Sequence, residues 1–136
     1  YALALSPDQT LLYATNDSDG TVRSYQIDEA HRLKNEQVFY VLEAAHGAEV
    51  GARGLCVDQE GRLYVATALG VQVCDQAGRV NFIIPTPKPA SDVCFGGKDL
   101  SELFIACGDT IYKRATKAKG VVSGQMAPIK PAPPKL

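Results

Sequence analysis

At 136 residues with 46% hydrophobic side chains, the chain has the size of a single domain and enough apolar residues to bury a core. Its 14 Lys and Arg against 15 Asp and Glu leave no strong field to recruit nucleic acid or an anionic membrane, so neither is expected as a partner. No stretch approaches the roughly 18 apolar residues of a membrane span, and the opening YALALSPD has neither the basic region nor the length of a signal peptide.

In chain order, residues 2–15, ALALSPDQTLLYAT, read as two short strands around the turn S-P-D-Q. The cluster Asn16, Asp17, Ser18, Asp19, Gly20 is a dense turn signal, and TVRSYQI at residues 21–27 alternates as a third strand. A fourth is expected at residues 37–42, followed by a loop over residues 43–52, EAAHGAEVGA, whose two glycines argue against a helix. Residues 54–80 repeat the pattern more clearly. Leu55-Cys56-Val57 and residues 63–66 flank the turn D-Q-E-G, residues 70–74 end in the turn D-Q-A-G, and VNFII at residues 80–84 closes the set before PTPKP. A third copy begins at Ser91 with Val93-Cys94-Phe95, the turn GGKDL, residues 103–106 and residues 110–114, with Val121-Val122 as a possible short fourth strand.

One meander of this kind has a single core-facing side and cannot bury it alone. Three copies recurring at about forty to fifty residues have the period of a four-stranded propeller blade. The reading is all-β: about three four-stranded antiparallel β-propeller blades over residues 1–124, half of a six-bladed ring, against the alternative of unrelated hairpins in a sandwich. Residues 125–136 form a proline-rich C-terminal arm, whose four prolines exclude helix and interior strand. The basic run Lys113, Arg114, Lys117, Lys119 reads as a solvated edge. Because the chain does not begin with Met, its start reads as a processed or fragment boundary.

The four cysteines, Cys56, Cys74, Cys94 and Cys107, lie inside apolar strands and form no C-x-x-C pair, which is the pattern of small buried hydrophobes in a reducing, cytoplasmic setting. Cys56 and Cys94 hold one position in two copies, so a disulfide between neighbouring strands stays open as an alternative. No nucleophile elbow, phosphate-binding glycine loop or zinc spacing is present. His31 and His46 sit in polar segments without a fixed partner and read as surface residues. In a propeller the first strand of each blade lines the central channel, so the candidate ligand residues are those just before each first strand: Tyr1, Arg53, Ser91 and Asp92. Asn16, Asp17 and Asp19 offer clustered oxygens that suit a hard cation such as calcium, or else an Asx-rich turn.

The motifs L-A-L-S-P-D-x-x-x-L-Y, G-L-C-V-D-x-E-G-x-L-Y-V-A-T-x-x-G-V-Q-V and F-G-G-x-D-L-x-x-L-F together resemble the C-terminal half of the gluconolactonase family, which includes senescence marker protein and luciferin-regenerating enzyme. The resemblance implies a six-bladed propeller and metal-dependent hydrolysis of sugar lactones, with a divalent cation, commonly calcium, polarising the lactone carbonyl. Two positions depart from it. Tyr1-Ala2 and Arg53-Gly54 stand where the family usually has Asn-Gly and Asp-Gly, and a guanidinium in place of a carboxylate repels a cation. The catalytic residues are therefore unassigned. Two functions stay open: a lactone hydrolase of gluconolactonase type, or a non-catalytic half-propeller in which Arg53 holds a sugar acid or pairs with Glu49 or Asp92. Three blades do not close a ring, so a homodimer completing six blades is expected, unless the chain is part of a longer one.

Overall fold

The computed structural model describes residues 2–121, which carry eleven β-strands and no helix. None of the described segments is therefore a helix long and apolar enough to cross a membrane. Strands β1 (Leu3–Leu5), β2 (Leu11–Asn16), β3 (Thr21–Ile27) and β4 (Leu33–Val41) form one antiparallel sheet in sequential order. Strands β5 (Leu55–Val57), β6 (Leu63–Thr67), β7 (Gly70–Cys74) and β8 (Val80–Ile84) form the second, and β9 (Asp92–Gly96), β10 (Glu102–Cys107) and β11 (Thr110–Ala115) the third. These are blades one, two and three, as the repeat predicts.

The blades stack face to face, and the alternation of a strand decides which neighbour each side chain meets. Leu55, Val57, Leu63, Val65 and Cys74 of blade two pack with Tyr13, Val22, Tyr40 and Leu42 of blade one. The intervening Tyr64, Ala66, Val71 and Val73 pack instead with Val93, Leu103, Ile105 and Cys107 of blade three. Every residue of β6 and β7 is consequently buried, including Gln72, because blade two is covered on both faces.

A turn motif recurs three times as D-x-x-x-R, at Asp28–Arg32, Asp58–Arg62 and Asp75–Arg79. In each, one carboxylate oxygen accepts the amides two and four residues on, and the other accepts the arginine Nε at 3.2, 2.7 and 3.1 Å respectively. The residue before the arginine has positive φ: His31 at 59°, Gly61 at 80° and Gly78 at 83°. Blade one makes its inner turn differently, with the Ser6 hydroxyl donating to Asp8 and accepting from the Leu11 amide.

Three expectations are corrected. Strand β4 starts at Leu33, four residues before the predicted boundary, because the polar stretch pairs with β3 through a register shift at Ser24/Gln26, with Asn35 at φ 52° donating to Gln26. Blade three has three strands among the described residues. Val121 lies in irregular backbone, and Val122 lies outside the described residues, as do Tyr1 and the proline-rich arm. The loop at residues 43–52 has no regular structure, as predicted. All four cysteines are free thiols: Cys74 and Cys107 are buried, whereas Cys94 is exposed, a departure from the buried-hydrophobe expectation.

Candidate functional site at the channel mouth

The inner strands β1, β5 and β9 bring their leading residues to one end of the stack. The junction is held by backbone and by one buried hydroxyl. The Arg53 amide donates to the Ala66 carbonyl at 2.9 Å, and the Ala66 amide donates back to the Gly54 carbonyl at 2.8 Å, which continues the β5–β6 ladder one step beyond the strand. Thr15, itself buried, accepts from the Ala2 amide at 2.8 Å and donates to the Arg53 carbonyl at 3.1 Å, tying blade one to blade two. The Gly54 amide donates to the Ser91 carbonyl at 3.2 Å and ties blade two to blade three.

Gly54 is set by this close approach. A Cβ there would lie 1.8 Å from Asp92 Oδ1 and 2.7 Å from the Asp92 Cα, so glycine alone lets the two blades meet. Ser91 is fixed by its amide and hydroxyl, both of which donate to the Ala106 carbonyl, and Asp92 accepts the Val93 amide on Oδ1 at 2.8 Å.

These contacts leave a cavity of about 370 Å³ lined by Ala2, Asp17, Ala52, Arg53, Gly54, Ser91 and Asp92. Arg53, Ser91 and Asp92, singled out in the sequence, lie together here and are exposed to solvent. Arg53 makes no ion pair among the described residues, with Glu49, Asp92 or any other carboxylate. Tyr1, the fourth of that set, falls outside the described residues.

The three loop residues considered for a cation are divided. Asn16 accepts the Ser18 amide and hydroxyl, and Asp19 accepts the Thr21 amide and hydroxyl and pairs with Arg23 at 3.1 Å. Hydrogen bonding from Thr21, against a smaller cost of desolvation, holds the Asp19 carboxyl below its ordinary range. Asp17 turns to the channel mouth and also borders a neighbouring cavity of about 560 Å³ with Asp19 and Glu49. Among the described residues no three His, Cys, Asp or Glu side chains converge on a point that could hold a metal ion. Two carboxylates, one hydroxyl and a guanidinium do not fit the hard-cation centre that the resemblance implies. Thr15 escaped the sequence reading because it occupies an ordinary strand position; its only signal is a polar residue on the buried side of β2.

The model of the SMP-30/gluconolactonase/LRE-like region matches residues 2–108. Regucalcin of Bos taurus is 31% identical over 108 residues, which covers 75% of this chain and 35% of that protein. A gluconolactonase from Xanthomonas campestris superposes with a TM-score of 0.70 at 27% identity, covering 82% of this chain and 36% of the other. A calcium-binding protein, regucalcin, from Agrobacterium tumefaciens superposes with a TM-score of 0.73 at 20% identity, covering 88% and 46%. The chain thus spans about a third of the length of the curated relatives it matches.

Proposed function

The chain belongs to the SMP-30/gluconolactonase/LRE-like family, and from that premise we propose that the cavity at its channel mouth receives a sugar lactone and opens it by hydrolysis to the sugar acid. The observation that carries this reading is the convergence of Arg53, Ser91, Asp92 and Asp17 on one cavity at the end of the inner strands. In the reaction, water adds to the lactone carbonyl carbon, the ring C–O bond breaks, and the proton lost by water ends on the released hydroxyl.

Arg53 donates N–H groups to the carbonyl oxygen as it becomes negative, and then faces the carboxylate of the product. Asp92 has one oxygen committed to the Val93 amide and the other free to take the proton from water and return it to the leaving oxygen. Asp17 and Ser91 hydrogen-bond the sugar hydroxyls. The calcium-binding regucalcin among the solved structures supports a divalent cation in this family. The donors described in this chain do not make that centre.

Release of acid from an aldonolactone, followed by pH indicator with and without added calcium, tests the assignment. The expected result is turnover above the spontaneous rate, with Arg53→Ala lowering kcat by about 100-fold, the scale of losing one oxyanion donor. No acid release above background in either condition overturns it. The unpaired guanidinium favours one second reading, binding of a sugar acid without turnover. Calorimetric binding of an aldonate that is abolished by Arg53→Ala, in a protein that turns over no lactone, selects that reading.

A further inference from the structure

The two seams between the described blades are built differently, and the shared register allows them to be compared residue by residue. Pairing of Leu3 with Ala14, Leu55 with Val65 and Val93 with Ile105 makes Ala2, Gly54 and Asp92 equivalent, and likewise Thr15, Ala66 and Ala106. Between blades two and three the seam is direct: the Gly54 amide donates to the Ser91 carbonyl. Between blades one and two a side chain is inserted. The Ala2 amide, which stands in the place of the Gly54 amide, donates to the Thr15 hydroxyl, and that hydroxyl donates in turn to the Arg53 carbonyl. Arg53 holds the position of Ser91, so the hydroxyl lies where the direct bond would run.

Thr15 is 1% exposed and occupies a position that is alanine in both other blades. Its hydroxyl spends its single proton on Arg53. A Cβ at Gly54 would lie 2.7 Å from the Asp92 Cα, whereas Ala2 carries its Cβ at the equivalent point, in keeping with a seam opened by one hydroxyl. The peptide group between Arg53 and Gly54 is thereby held from both sides, its oxygen by blade one and its N–H by blade three. The Arg53 guanidinium makes no ion pair among the described residues, so its reach into the mouth starts from this backbone anchor.

We infer that Thr15 is a positioning residue: its buried hydroxyl, inserted between Ala2 and Arg53, sets where the Arg53 guanidinium stands at the channel mouth. The catalytic consequence rests on the reading of the mouth as a lactone hydrolase, in which Arg53 faces the developing oxyanion. Loss of the hydroxyl leaves the Ala2 amide and the Arg53 carbonyl without their partner. The guanidinium then shifts from the oxyanion, a misplacement felt in the transition state more than in substrate binding.

Two measurements on Thr15→Val, which keeps the side-chain shape, and Thr15→Ser, which keeps the hydroxyl, test this. In acid release from an aldonolactone, Thr15→Val is expected to lower kcat about 10-fold with KM changed by less than about 2-fold, and Thr15→Ser to restore kcat. Added to Arg53→Ala, Thr15→Val is expected to cost nothing further, because both act through one guanidinium. Without ligand, hydrogen exchange at the Gly54 amide is expected to be faster in Thr15→Val and unchanged in Thr15→Ser, since the lost bond polarised the same peptide group. Should Thr15→Val fail to fold, Thr15→Ala, the residue of the other two blades, takes its place. An unaltered kcat in Thr15→Val overturns the inference, as do an equal loss in Thr15→Ser and a loss that adds to that of Arg53→Ala. Should the unaltered chain release no acid, the hydrolase reading fails alone, and the exchange decides: a Gly54 amide no faster in Thr15→Val overturns the positioning role, and one that is faster upholds it.

Discussion

The aspartates show how a short polar side chain organises a blade. Asp28, Asp58 and Asp75 each collect two amides and an arginine, and Asp58, fully buried, also accepts from the Tyr64 hydroxyl at 3.0 Å. Burial works against the Asp75 charge, but the amides of Arg79 and Ala77 and the Arg79 guanidinium outweigh it and hold the carboxyl below its ordinary value. The Arg32 amide and the Lys34 ammonium do the same for Asp28. A carboxyl depressed in the folded state contributes stability above its unfolded pKa of about 4 and loses that contribution as pH falls through the folded value. The urea midpoint is therefore expected to drop as the solution is taken from about pH 4 to pH 2, with these groups adding nothing to its pH dependence at neutral pH. Gly54 gives a second expectation at this scale. Gly54→Ala drives a methyl into the Asp92 side chain and backbone and should cost about 1–3 kcal/mol, the scale of overpacking, read by urea denaturation.

At the scale of the element, the sequence was most legible where a strand is covered on both faces. Residues 63–66 and 70–74 announce themselves because their apolar side chains are covered on both faces, whereas the start of β4 did not, because its residues from Leu33 to Val38 are exposed and carry no period to read. The turns at Asp58–Arg62 and Asp75–Arg79 are legible through their glycines, yet the arginine four residues on is not, since its partner is fixed only once the hairpin closes. Three of the four candidate residues singled out by their place at the start of a first strand, Arg53, Ser91 and Asp92, line one cavity. Gln72 was invisible for the opposite reason: it is a polar residue inside an apolar run. Its amide donates to the Glu43 carbonyl at 2.7 Å and accepts the Glu43 amide at 2.8 Å, anchoring the start of the 43–52 loop to the interior of blade two. Gln72→Leu leaves both Glu43 groups without a partner and is expected to lower stability by about 1–3 kcal/mol. Hydrogen exchange at the Glu43 amide, faster in the variant, separates this cause from simple repacking.

For the whole molecule, the position of blade two decides the cooperativity. It contributes residues to both apolar clusters, so neither can melt without exposing one of its faces. Leu63→Ala in the first cluster and Leu103→Ala in the second, both at fully buried positions, should each cost about 2–5 kcal/mol. Each variant is expected to unfold in one transition, with tyrosine fluorescence and far-ultraviolet circular dichroism coincident. Two separated transitions would refute the shared core. After β11 the chain doubles back: the Gly120 amide donates to the Leu100 carbonyl, the Lys119 carbonyl accepts the Gln59 amide, and Gly120 bridges Asp58 in blade two. Blade three is thereby sewn to its neighbour by its own trailing thread. A tension applied beyond residue 121 is borne first by the Asp58 turn, at the mechanical centre of the stack, and the outermost blade is spared from peeling.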